Sequence, residues 1–525
     1  MAKEQLHWRL IGVRGGLSFL EACLWSLGRG VGVACAVMIL GGCAAAVFHR
    51  VMIQSNGWLD RWWIWCGGGL MLTALLLPSV VVGYGFSAVS IRLVRFPWLN
   101  EMVYGGVLLG RYAVICMGVM MIGGKGRGFG SVSAGRYGAT LAGLDVGWWS
   151  RLKWWCSGWI DRAVVGWLLV FVLVFGEFEI ASLMGRPAWT VWLFDAQVGG
   201  ASAGSVGKQM MWVVLGEIAL LATAGAWFVH RNKQRGDVGL EAESGEIYSA
   251  IRQDRSWLGK LIAGVGLLGV MFSAGLVGWT GWFVIRSAVG GMKRFVVDGR
   301  FWGEIGRSGL YAGLSTIIVI GLLLLIQRRG GLRGLRWGMF GLMGLLGGVG
   351  LFGGLGVGLV VVRIFQTGVM RGLYDSAAPI VVGQVMVLLP MGWLLLLLKQ
   401  RQGEKQGAHL AKLMMGARDA ASQQAGRGLW WQMRGRAMYW AIGYVFVLGF
   451  FELSASAVLY PAGGMPASVR LYNLMHYGES DLLSAMVVGS LFVCLVCVIV
   501  GRYITSGGYA VVMRVMGWWA MKGGG

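Results

Sequence analysis

The chain has 525 residues, 57% of them apolar and only 13% charged, and 46 Lys and Arg against 23 Asp and Glu leave a formal charge of +23. A soluble domain carries about 25% charged residues, so an ordinary soluble enzyme and a disordered protein are both excluded. The 91 glycines follow no Gly-X-Y period, which excludes collagen, and their company of 28 Trp and only 7 Pro points to packed membrane helices, where small residues let backbones approach and Trp anchors at the headgroup level.

A bilayer-crossing helix needs about 20 mostly apolar residues. Eleven such runs follow one another at 31–48, 66–89, 103–124, 163–184, 208–230, 260–288, 309–327, 337–362, 377–400, 437–460 and 482–501. No cleavable signal peptide precedes the first. Basic residues gather between the runs. Segment 125–162 holds Lys125, Arg127, Arg136, Arg151, Lys153 and Arg162. Segment 399–436 holds eight more, and the turn 328–336 has Arg328, Arg329, Arg333 and Arg336 with no acid. By the positive-inside rule these three face the cytoplasm, and 185–207 and 461–481 then face outward. The net charge is accounted for in this way without a nucleic-acid partner. Segment 289–308 conflicts: alternation places it outside, yet it carries Lys293, Arg294, Arg300 and Arg307.

The most polar stretch divides the chain into a first domain of five spans (1–230), a cytoplasmic linker (231–258) and a second domain of six (259–525). The halves repeat. Gly176-x-Phe178-Glu179 and Gly449-x-Phe451-Glu452 lie 273 residues apart, as do Gly143 and Gly416, and Pro187 and Pro461 follow with one residue of slippage. At this offset the first half lacks most of its first helix. Either the fold tolerates this loss, with the N-terminus outside, or the true start lies upstream of Met1; Lys3, Arg9 and Arg14, awkward to export, favour the second.

Glu179 and Glu452 are the leading site candidates. A charged group within a membrane helix costs about 2.5–3.5 kcal/mol on insertion scales, so it meets a polar cavity or a partner. The pair either lines a substrate path or anchors packed helices near the outer interface; Ser182, Ser454 and Ser456 suit both readings. Glu217 is a third carboxylate, without a repeat partner. The segments around Gly143 and Gly416 read as a short cytoplasmic helix, a turn and a second helix on the membrane surface. They serve either as a docking element for a cytoplasmic partner or as an interfacial helix held by anionic lipid. GGKGRGFG at 123–130 lacks the Gly-Lys-Ser/Thr ending of a phosphate loop. The five His show no metal-ligand spacing, and the eight Cys form no disulfide framework. No cofactor or metal is expected.

Residues 451–478, FELSASAVLYPAGGMPASVRLYNLMHYG, resemble the end of permease subunits of binding-protein-dependent ABC importers of the ferric-iron type, which fuse two permease domains in one chain. GEFEIASLMGRPAWTVWLFDA at 176–196 is similar to the same region. The resemblance covers most of 65–502 and is specific mainly in these two patches. It implies an all-α integral membrane protein of two repeated helical bundles, of the type I ABC importer permease kind, with about 11 transmembrane helices in the bacterial inner membrane. It implies a translocation path near Glu179, Glu452, Ser182 and Ser454, with no nucleotide site in this chain. A cytoplasmic ABC ATPase dimer and a periplasmic substrate-binding protein are the implied partners, and ferric iron, or another small cation or solute, the implied cargo. Related permeases move thiamine and polyamines.

The family's Glu-Ala-Ala loop, with its Gly four residues after the second Ala, falls here on Gly138, Ala139 and Gly143, and on Ala411, Lys412 and Gly416. Tyr137 and Leu410 replace the leading Glu, and Cys156 stands where the first half would carry a Pro. The rival readings are an ion-coupled secondary transporter using the two carboxylates, a membrane-embedded transferase acting on lipid-linked substrates, and a permease that has lost transport and serves as a scaffold.

Overall fold

The computed structural model describes residues 18–54, 58–122, 164, 166–199, 207–220, 223, 257–327, 353–402, 410, 411, 413–417, 419–431 and 435–522. Among these there is no strand. The helices in chain order are α1 (Phe19–Gln54), α2 (Trp58–Leu76), α3 (Ser79–Arg92), α4 (Pro97–Ile122), α5 (Gly166–Phe175), α6 (Glu179–Leu183), α7 (Trp189–Val198), α8 (207–220), α9 (Trp257–Val297), α10 (Gly299–Gln327), α11 (Gly353–Phe365), α12 (Ala378–Gln402), α13 (Ala420–Trp430), α14 (Arg436–Phe450), α15 (Ser456–Leu459), α16 (Ala467–His476) and α17 (Ser480–Lys522).

Among the described residues five stretches are long and apolar enough to cross a membrane: Phe19–Phe48, Pro97–Met120, Lys260–Val297, Gly299–Leu325 and Ser480–Tyr503. The described residues are thus all-helical, and the chain is a multi-pass membrane protein. Shorter apolar helices occupy Gly166–Phe175, Gly353–Phe365, Ala378–Trp393 and Met438–Phe450.

Three of the expected runs are broken. Within 66–89 the chain bends by 91° between Leu76 and Ser79. Pro78 sits at φ −57, ψ 135 in the break; its ring removes an amide donor and biases the preceding residue out of the helical region. The runs 163–184 and 437–460 stop being helical at Phe175 and Phe450, and each resumes as a separate short helix, α6 and α15. Only part of 208–230 and of 337–362, and little of the expected linker, lies within the described residues.

Two compact units divide the chain. The first comprises Met1–Trp282, Arg333–Val357 and Trp393–Ala408; the second comprises Phe283–Leu332, Gly358–Gly392 and His409–Gly525. In the first, α1 and α4 meet through small residues. A Cβ added at Gly41 would stand 2.5 Å from the Ala113 carbonyl oxygen and 2.7 Å from the Cys116 Cβ, and one at Gly110 would stand 2.7 Å from the Phe272 carbonyl oxygen. The Ser273 hydroxyl donates to the Gly110 carbonyl at 2.7 Å. Tyr104, Leu108, Phe171 and Trp189 fill this core.

In the second unit α10 packs on α14, where a Cβ at Gly449 would come 3.5 Å from Ala312. Phe295 and Phe450 are among the large buried rings here. Part of the basic segment 289–308 meets acids in this unit. Arg294 lies 3.6 Å from Glu479, and Arg470 lies 3.8 Å from Glu304. The Arg300 amide donates to Asp298 at 3.0 Å. Of the segment's own basic side chains Arg294 is answered by an acid, Glu479 just before α17, while Glu304 of the segment pairs outward with Arg470 of α16.

Candidate functional site: two glutamate-capped helix breaks

α14 ends at Phe450, and Glu452 sits in the gap before α15. The first amides of a helix lack intrahelical acceptors, and the Glu452 carboxylate supplies two. The Ala455 amide donates to Oε1 at 2.7 Å, the Ser456 amide to Oε2 at 2.9 Å, and the Ser456 hydroxyl to Oε2 at 2.8 Å. The Glu452 carbonyl accepts the Ser468 hydroxyl at 2.9 Å, and the Ala467 amide opening α16 donates to the Ser308 hydroxyl oxygen at 2.8 Å. Gln384 of α12 reaches the same break, donating to the Gly449 carbonyl at 3.1 Å and to the Ser456 hydroxyl at 3.3 Å, while its Oε1 accepts from Ser315 at 3.0 Å.

The first unit contains a matching arrangement around Glu177, which is 8% exposed. The Ile180 amide donates to its Oε1 at 3.0 Å, and the Tyr112 phenol donates to Oε2 at 3.0 Å. Its carbonyl accepts the Thr190 hydroxyl at 3.0 Å, and the Trp189 amide opening α7 donates to the Ser26 hydroxyl oxygen at 3.0 Å. Each short helix is followed by a turn through a left-handed glycine, Gly185 at φ 62 and Gly463 at φ 74. Each also presses a leucine against a glycine of the preceding bundle, Leu183 on Gly83 and Leu459 on Gly383.

Glu452 thus begins its break half-buried, with Ser454 half-buried in the next turn. Glu179 is the first residue of α6 and is half-buried, as is Ser182. The capping role of Glu452 is held in the first unit by Glu177, two residues upstream of Glu179. The shared Gly-x-Phe-Glu spelling had selected the other carboxylate. Ser26, Ser308 and Gln384 also escaped the sequence reading, because their partners lie 65–163 residues away. Glu217 in α8 is 4% exposed, and its Oε2 has no hydrogen-bond partner. Arg111 in α4 is 7% exposed, and its Nε and Nη1 lack partners.

The segment around Gly416 is a helical hairpin. Residues 410, 411 and 413–415 are helical. The turn closes with the Gly416 amide donating to Leu413 at 3.1 Å and the Ala417 amide to Met414 at 3.2 Å. Asp419 caps α13 by accepting the Ser422 amide at 2.7 Å. Hydrogen bonds from Ser422, its side chain first and its amide second, hold the Asp419 carboxyl below the ordinary aspartate value. Gly426 lets the two arms touch: a Cβ there would be 2.7 Å from the Met414 Cβ and 2.9 Å from the buried Ala411's carbonyl oxygen. Gly138, Ala139 and Gly143 lie outside the described residues.

Among the described residues no group of three or more His, Cys, Asp or Glu could hold a metal ion. In comparisons with known proteins, no family model, no curated protein and no solved structure matches the chain.

Proposed function

We propose that this chain is the membrane-spanning permease subunit of an ABC importer, two repeated helical bundles with about 11 transmembrane helices that form the path for a small solute. The observation that carries the reading is the pair of glutamate-capped breaks, one per unit, with the same sequence of cap, leucine contact, left-handed glycine turn and hydroxyl-anchored helix. Irregular backbone at membrane depth is tolerated where it is buried in protein or lines a cavity, and paired broken helices are where transporters place their substrate sites. The path runs near Glu179, Ser182, Glu452 and Ser454.

A separate ATPase dimer grips the cytoplasmic side, through the hairpin at Ala411 and Gly416 and its counterpart at Gly138, Ala139 and Gly143. A periplasmic binding protein delivers solute to the outer loops in the bacterial inner membrane. The engagement of the Glu452 carboxylate by three donors favours this over an ion-coupled carrier, whose carboxylate must exchange its ion each cycle.

The test is affinity purification of the solubilised chain from its host membranes. An ATPase subunit co-purifies, and Gly416→Arg, on the exposed turn of the hairpin, releases it. Uptake into protein-containing vesicles driven by an ion gradient without ATP would overturn the proposal.

A further inference from the structure

Among the described residues of the first unit three arginine side chains are enclosed, and one carboxylate, Glu101, pairs with two of them. At the Pro97 end of α4, outward in the expected orientation, Arg29 and Arg186 share one carboxylate. Arg29 Nε is 2.6 Å from Glu101 Oε1, and Arg186 Nε is 3.5 Å from Glu101 Oε2. Both arginines are more than nine-tenths buried, and Arg29 Nη2 and Arg186 Nε have no hydrogen-bond partner.

Ten residues further along α4, about 15 Å deeper at the helical rise, stands Arg111. It is 7% exposed, with Nε and Nη1 enclosed and without partners. Its guanidinium lies 5.8 Å from the Tyr112 ring centroid. Among the described residues no carboxylate forms an ion pair with it. Glu177, on the other side of Tyr112's hydrogen bond, already accepts the Tyr112 phenol and the Ile180 amide.

An ionised guanidinium enclosed in a membrane span without a counter-ion is costly, and such residues normally meet a partner or a polar pathway. Arg does not escape the cost by losing its proton. Its planar fork matches a carboxylate or phosphate oxygen pair.

We propose that Arg111 is a binding position for an anionic oxygen group, a carboxylate or phosphate-type oxyanion, on the transported solute, and that Arg29 and Arg186 form the outer pair that draws the anion in. As a statement about cargo this rests on the permease reading. It changes the substrate class from a bare cation to a solute that carries negative oxygens. The same oxygens could arrive on a lipid headgroup, so the test separates the two sources.

The full chain is placed in nanodiscs of phosphatidylcholine, and equilibrium binding of radiolabelled sulfate, inorganic phosphate and citrate is measured. At least one binds saturably. Arg111→Gln weakens it at least about tenfold, since removing one partner of a buried charged pair costs several kcal/mol, and Arg111→Lys recovers part of the loss. A second measurement needs no variant: that anion protects Arg111 from phenylglyoxal modification, read by mass spectrometry. Absence of saturable binding of all three probes, wild-type binding by Arg111→Gln, or labelling of Arg111 indifferent to the anion each overturns the site. Repeating the measurement in phosphatidylglycerol leaves binding unchanged if the solute is the occupant; abolished binding assigns the position to lipid and overturns the solute reading. Loss of anion binding in a chain that still retains its ATPase removes this inference alone, whereas intact anion binding in a chain that recruits no ATPase removes the importer reading alone.

Discussion

The Glu452 carboxylate accepts two amides and a hydroxyl at one helix start, so its charge is spent on holding a break open rather than left idle in the bilayer. Glu452→Gln keeps the shape but offers one neutral acceptor oxygen in place of two charged ones. Hydrogen bonds to charged groups contribute about 1.5–3 kcal/mol and neutral ones about half of that. Glu452→Gln should therefore lower stability by about 1–2 kcal/mol, read as an earlier thermal transition of the detergent-solubilised chain, and Glu452→Ala should cost more. An unchanged transition for the Ala variant would mean that the cap carries no weight. Glu177→Gln should behave likewise, leaving one neutral oxygen for the Ile180 amide and the Tyr112 phenol together. Sequence reading reached Glu452 because a carboxylate in an apolar run is conspicuous. It took Glu179 on the shared spelling and passed over Glu177, since which carboxylate meets an amide is decided by where the helix stops.

Helix breaks and close contacts decide the elements. Apolar runs were legible because lipid demands them residue by residue, and the five long spans overlap runs read from composition. The ends of α5 and α14 were not, as neither has a proline at the break; the one at Pro78 did carry that signal. The short hairpin around Gly416 was readable as helix, turn and helix from its small, apolar and basic mixture, but its closure through Gly426 was not. Gly426→Val should pry α13 from the arm holding Ala411, because its Cβ would overlap Met414. Faster proteolysis within 403–435, with the membrane helices still protected, is the expected result. Asp419 makes the same hairpin acid-sensitive. Its folded pKa lies below the ordinary aspartate value, so the contribution is present above that value and fades as pH falls through the folded pKa. Asp419→Ala should fray α13 at neutral pH, and the difference from wild type in limited proteolysis should vanish at strongly acid pH. In the membrane part, Gly41→Leu should overpack α1 against α4 and cost about 1–3 kcal/mol or more, visible as lower yield of folded protein.

At the scale of the molecule the question is whether two like breaks in two compact units serve one path. Stability and transport answer differently. Glu177 and Glu452 share no hydrogen-bond partner, and each cap belongs to its own unit. Mutations at sites without shared partners usually add to within about 0.5 kcal/mol. The thermal destabilisation of Glu177→Gln/Glu452→Gln should therefore equal the two single effects combined. A single solute path behaves otherwise. If both breaks border it, distorting either one obstructs the same passage, so each single variant should already remove most ATP-coupled uptake and the double variant should remove little more. Two independent paths would instead leave about half the uptake in each single variant and abolish it only in the double. Additive melting with non-additive uptake, measured on the same preparations, is the pattern that a duplicated gate predicts, and independent losses in both assays would leave the breaks as structural joints of two separate bundles.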